Sequence, residues 1–130
     1  MAEIPTDLRY STDHLWVRAS DTTMRIGVTD YAQEALGDVI AVTLPAPGDT
    51  ISAGAAFGDI ESVKSVSDLM APMTGVVRAC NDDLASAAEQ VNSDPYGNGW
   101  IIEAEIDPST VDQQLTDLMD ADAYRQLIGA

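Results

Sequence analysis

The chain has 130 residues, enough for one hydrophobic core and too few for two ordinary domains. Its 22 acidic side chains against 6 basic ones give a net charge of −16, a field that repels nucleic-acid phosphates and anionic lipid surfaces, so neither is an expected partner. No apolar run is long enough to span a bilayer, and Cys80, the sole cysteine, excludes an internal disulfide, a C-x-x-C pair and a cysteine-built zinc site.

The N-terminal residues Met1-Ala2-Glu3-Ile4-Pro5-Thr6-Asp7 show neither a secretory nor a transit pattern, which leads to the expectation of a cytoplasmic protein. His14–Arg18 and Thr23–Val28 are β-prone runs on either side of the polar Ala19–Thr22, the pattern of an antiparallel hairpin. Thr29 or Asp30 then caps a short helix through Leu36, with Gln33 three residues after Asp30 as in a capping box, and Gly37 ends it. Asp38–Leu44 reads as a strand closed by Pro45-Ala46-Pro47-Gly48-Asp49.

From Thr50 to Cys80 short apolar pieces are broken by Gly54, Gly58, Pro72 and Gly75, as in a small barrel or sandwich. A helical turn is expected over Asp83–Glu89, a loop over Asp94–Gly99 and a strand over Trp100–Ile106. Past Pro108, Ser109 or Thr110 caps a helical tail in which Val111, Leu115, Leu118 and Met119 share a face, and Tyr124, Leu127 and Ile128 add a second apolar patch. The whole is expected to be one mainly β domain over residues 1–130, with a body at about 10–107 and a packed helical tail at about 109–128.

The chain uses Arg at five positions and Lys at one, Lys64. Apolar and polar residues alternate on both sides of it, through Asp59-Ile60-Glu61-Ser62-Val63 and Ser65-Val66-Ser67-Asp68-Leu69, which places the lysine near the tip of a hairpin. An amine at a tip is open to a modifying enzyme, and the same exposure argues against a desolvated Schiff-base lysine. Cys80 reads as a small buried filler, Trp16 and Trp100 as packing residues, and His14 as a structural hydrogen-bonding residue.

Three blocks in order, Gly27-Val28-Thr29-Asp30-Tyr31-Ala32-Gln33-Glu34-Ala35-Leu36-Gly37-Asp38, Glu61-Ser62-Val63-Lys64 with Ser67-Asp68, and Val91-Asn92-Ser93-Asp94-Pro95-Tyr96-Gly97-Asn98-Gly99-Trp100, resemble the H-proteins of the glycine cleavage system. The resemblance runs from about Tyr10 into the C-terminal tail. It implies a lipoyl-domain-like fold, a flattened barrel or sandwich of two antiparallel sheets, and lipoate joined by an amide bond to Lys64. The extended arm would reach roughly 14 Å, counting bonds of about 1.5 Å along it.

What the resemblance implies is a carrier without catalytic residues or a metal, serving three enzymes. The pyridoxal-phosphate glycine decarboxylase (P-protein) loads an aminomethyl group onto the oxidised arm, a tetrahydrofolate-dependent aminomethyltransferase (T-protein) removes the one-carbon unit and releases ammonia, and dihydrolipoyl dehydrogenase (L-protein) reoxidises the dithiol. Lipoylation enzymes are further implied partners, and a monomer is the implied state. Thiol chemistry on the arm explains why no reactive cysteine is needed.

Between visits the arm is expected to fold into a groove where a carboxylate stabilises its ammonium end. Asp68 matches a groove residue of the family, and Asp13 lies in the other lining segment. Family members commonly read His-Glu-Trp where this chain has His14-Leu15-Trp16, so that carboxylate is missing and Asp13 is its candidate substitute. The loop Asp94–Gly97 is expected to support the fold or a docking surface. Other readings are an H-like protein that relays lipoyl groups and an interaction domain with an unmodified Lys64. A biotin carrier or acyltransferase lipoyl domain fits less well, because Val63 and Ser65 flank the lysine where methionines or an Asp are typical.

Overall fold

A computed structural model describes residues 3–129. The chain turns at Ser11–His14 between β1 (Arg9–Tyr10) and β2 (Leu15–Ser20), and again at Asp21-Thr22 before β3 (Thr23–Val28). Ser20 pairs with Thr23, so the second turn has two residues, and Asp21 takes the positive φ of 56° that so tight a reversal demands. In β2 side chains alternate, and both faces are covered: Leu15 and Val17 enter the main core while Trp16 enters a second cluster on the opposite face.

The helix α1 (Asp30–Leu36) is capped by Thr29, whose hydroxyl accepts from Ala32 N, while Gln33 Nε2 donates to Asp30 Oδ1 at 2.6 Å. Gly37 ends it with φ 78°. β4 (Val39–Thr43), β6 (Ala56–Ser62) and β7 (Val66–Met70) form a three-stranded antiparallel sheet with β6 in the centre, and β5 (Thr50–Ile51) crosses to the other sheet. That six-stranded sheet is completed by β8 (Gly75–Cys80) and β9 (Ile102–Glu105), in the order β1-β2-β3-β9-β8-β5. The sheets face each other as an open flattened sandwich, with Val17, Met24 and Ile26 of one packed among Val39, Ile60 and Leu69 of the other. Of the two expected shapes, the sandwich is the one adopted, since no ladder joins the sheets into a closed barrel among the described residues.

Between β8 and β9 the expected helical turn is a 3-10 turn at Asp82–Ala85 followed by α2 (Gln90–Ser93). The helical tail is two short helices, α3 (Val111–Thr116) and α4 (Ala121–Ile128). Met119 interrupts them because its N–H and C=O are both committed to Tyr10, each at 2.8 Å, and Asp120 starts the next helix by accepting from Ala123 N. Tyr124 then stacks on Tyr10 with ring centroids 4.7 Å apart. Leu127, expected on the packed patch, is 49% exposed and faces solvent instead. The second cluster reaches back to Ile4 and Leu8, so packed structure begins ahead of residue 10.

Candidate functional site

Lys64 sits in the connection between β6 and β7, exposed, where the periodicity had set it. Buried Ser62 builds the tip: its N–H donates to Ser65 O at 2.8 Å, and its hydroxyl accepts from the N–H groups of Lys64 and Ser65. Val63 N donates to Asp38 O at 3.0 Å, which ties the tip to the segment after α1. The flanking Val63 and Val66 are exposed, so the lysine is accessible together with its neighbours.

That supporting segment is itself held by Asn92 of α2. Its Oδ1 accepts from Val39 N at 2.8 Å, and its Nδ2 donates to Gly37 O at 2.8 Å and to Gln33 Oε1 at 3.0 Å. Sequence reasoning marked Asn92 only as part of a motif; its separation of 53 positions from Val39 hides the contact from any local pattern.

Beside the hairpin lies a groove of about 300 Å³, at the lower end of the size range of small-ligand sites. Its walls are apolar, with Leu15 and Val28 from the first hairpin, Ala32, Ala35 and Leu36 from α1, and Ile60 and Leu69 from the smaller sheet. Its polar groups are Asp13, His14, Tyr31, Ser67 and Asp68, and among the described residues no Lys or Arg lines it. Asp13 and Asp68, far apart in sequence, thus share one cavity, and a lysine or arginine does not compete there for a cationic guest. Asp68 is four residues along the chain from Lys64, hence at most about 14 Å from it at full extension.

Leu15 is only 2% exposed and lines the groove with its apolar side chain, and the carboxylate at this wall is that of Asp13, next to His14. His14 has φ 68°, a left-handed conformation that histidine enters more readily than most residues. Its Nδ1 lies 2.9 Å from Tyr124 Oη, and that hydroxyl is 2.8 Å from Thr29 Oγ1. Burial lowers the His14 pKa, opposed by Asp13, and burial pushes the Tyr124 phenol up to about 12 despite its bond to Thr29.

A larger depression, about 860 Å³, is lined by Thr50, Gly75, Val76, Ile106 and Gln114 among others. It contains neither Lys64 nor any residue of the smaller groove and holds no histidine, lysine or cysteine, so size alone does not make it the site. Cys80 is half-buried rather than fully buried, and its thiol donates to Pro45 O. Burial, with Asp82 and Asp49 nearby, holds that thiol above its usual range and thus protonated and weakly nucleophilic. Trp16 is fully buried and donates from Nε1 to Pro95 O at 2.9 Å, while Tyr96 Oη donates to Glu3 O and accepts from Asp30 N. The Asp94–Gly97 loop therefore supports the fold: it anchors the second cluster and the start of α1.

Two packed antiparallel sheets, with the sole lysine presented at a hairpin tip beside a groove, define a lipoyl-domain-like fold. The family model for the glycine cleavage H-protein matches residues 8–130. A glycine cleavage system H protein of Mycolicibacterium smegmatis is 52% identical over 129 residues, covering 98% of each chain. One from Mycobacterium bovis is 53% identical with 96% of each covered. The crystal structure of a glycine cleavage system H protein from Mycobacterium marinum superposes with a TM-score of 0.88 at 35% identity, over 98% of this chain and all of that one. The chain belongs to the glycine cleavage H-protein family.

Proposed function

We propose that this protein is the non-catalytic lipoyl carrier of a glycine cleavage system. Lipoate is attached to Lys64 by an amide bond, and the arm takes the aminomethyl group of glycine from the P-protein decarboxylase to the T-protein aminomethyltransferase. The dihydrolipoyl arm then goes to the L-protein dehydrogenase for reoxidation. Lipoylation enzymes act first, on the exposed amine. The protein works in the cytoplasm, as befits a chain whose relatives are bacterial proteins.

The observation that carries this reading is the pairing of an exposed hairpin lysine with a cation-free acidic groove within reach of its arm. The bound arm would supply the thiol and disulfide chemistry. Asp13 and Asp68 attract an ammonium, while Leu15, Leu36 and Ile60 offer apolar surface that keeps water from a thioether. The functions left to the chain are presentation and shelter. Both rest on binding and desolvation rather than on proton transfer by the chain, so neither requires an acid–base pair.

Intact mass and peptide mapping of protein made in a lipoylation-competent host test the reading. A lipoyl increment confined to Lys64 and lost in Lys64→Arg is the expected result. An unmodified Lys64 beside active lipoylation enzymes would overturn it in favour of an interaction domain. Turnover with the decarboxylase then separates glycine cleavage from lipoyl relay.

A further inference from the structure

Thr29, Tyr124 and His14 form a buried chain of hydrogen bonds that ends at the groove, and the carrier cycle as described leaves it unused. Thr29 is fully buried and its Oγ1 accepts from Ala32 N, the helix cap. Its remaining contact is Tyr124 Oη, and Tyr124, also fully buried, has His14 Nδ1 as its other partner. The hydrogens can run along this chain in two directions. If Tyr124 donated to Thr29, the buried Thr29 hydroxyl would have no acceptor for its own hydrogen. If Thr29 donates to Tyr124 and Tyr124 donates to Nδ1, both hydroxyl hydrogens are used. The second arrangement leaves His14 with its proton on Nε2, an atom with no hydrogen bond to any described residue on a ring that lines the groove.

We propose that Tyr124, from the C-terminal helix, is a positioning residue that fixes His14 as the neutral Nε2–H tautomer and thereby sets an uncharged donor in the groove wall. Its use rests on the carrier reading. An aminomethyl-loaded arm brings an ammonium, which Asp13 and Asp68 attract and an imidazolium beside them would repel. A neutral ring avoids that repulsion, and its Nε2–H can donate to an acceptor of the arm. The geometry agrees with the lowered proton affinity that burial imposes on His14 and with a Tyr124 phenol that stays protonated. The other groups facing the ring are Asp13, which opposes the neutral form, and Tyr31, whose ring centroid is 5.0 Å away.

His14 is the only histidine, so the ring nitrogens of a 15N-labelled sample yield one assignable pair of signals. The test uses the full chain without lipoate, which makes it independent of whether Lys64 is modified. At neutral pH the expected spectrum has Nδ1 unprotonated and Nε2 protonated, and Tyr124→Phe, which keeps the stack on Tyr10, moves Nδ1 toward its protonated position. On lipoylated protein the same variant is expected to shorten the lifetime of the aminomethyl-loaded arm several-fold, while reoxidation of the uncharged dihydrolipoyl arm stays unchanged. A protonated Nδ1 in the parent protein overturns the proposal even if the variant fails to fold. So does a folded Tyr124→Phe protein with unchanged ring signals, or one whose loaded arm lives as long as the parent's.

Discussion

The Lys64 side chain lies over Gly37: a β-carbon at Gly37 would stand 3.1 Å from Lys64 Cε and 3.7 Å from its Nζ. The glycine that ends α1 therefore also leaves the lysine its resting place, in addition to permitting φ 78°. Gly37→Ala is expected to cost about 1–3 kcal/mol from the backbone alone, because φ 78° with ψ −159° is a conformation essentially confined to glycine. Gly48→Ala makes a control, since Gly48 has φ 97° with nothing within 4 Å of the added carbon. Urea unfolding should find both variants destabilised, and a time course of lipoate attachment should find only Gly37→Ala slowed. Equal attachment rates would remove any role for the contact.

Asn92 joins α1, the start of β4 and thus the base of the lysine hairpin. In Asn92→Ala the Val39 N–H and Gly37 C=O lose their partner, and each such group left unpaired costs about 1–3 kcal/mol. The expected loss of stability exceeds that of any surface substitution, and hydrogen exchange at Val39 and Val63 should accelerate together. Protection lost at Val39 alone would show that the tip does not depend on this clamp.

Gly27 faces Trp16 across the first hairpin, and a β-carbon there would stand 2.6 Å from the indole Cζ2. The indole is held by its bond to Pro95 and cannot easily retreat. Overpacking of this kind costs about 1–3 kcal/mol. Gly27→Ala should lower the melting temperature and shift the Trp16 fluorescence. An unchanged melting temperature would mean that the second cluster repacks freely.

His14 makes stability depend on pH with a definite sign. Its pKa is lower in the folded protein than in the unfolded chain, where it is near the ordinary value, so below that value the unfolded state binds the proton first. The contribution is fully present above the unfolded pKa of about 6.5 and is lost as pH falls toward the folded value. Asn tolerates the left-handed backbone, so His14→Asn isolates the effect. Denaturant unfolding at a series of pH values should give the parent a steeper loss of stability on mild acidification than the variant, and parallel curves would contradict the shift.

The charge is unevenly arranged. Arg18 and Arg25 lie on the adjacent β2 and β3 and Arg78 on β8, with Glu103 and Glu105 on β9 between β3 and β8, whereas Asp38 and Glu61 are exposed beside the lysine hairpin. Association with partner enzymes should slow and weaken as salt rises through the range where the Debye length falls below about 10 Å. Binding followed by stopped-flow or calorimetry across a salt series checks this, and salt-independent rates would rule out steering by the acidic surface.

Sequence by itself determined the elements whose signals are local: the first hairpin, the short helix ended by Gly37, whose cap it left between Thr29 and Asp30, and the exposed turn carrying Lys64. Each follows from periodicity or turn chemistry within a few residues, and the motif blocks around them carried the family resemblance. Only the tertiary structure decided that Asp13 and Asp68 share a groove, that Asn92 braces Gly37 and Val39, and that Tyr124 reaches His14 across 110 positions. It also split the C-terminal tail in two, against an apolar spacing that continued through Met119, because two backbone hydrogen bonds to Tyr10 outweigh the continuation of a helix. Local patterns record which face of an element is apolar; which distant polar group will satisfy which buried donor depends on how the sheets and helices are brought together.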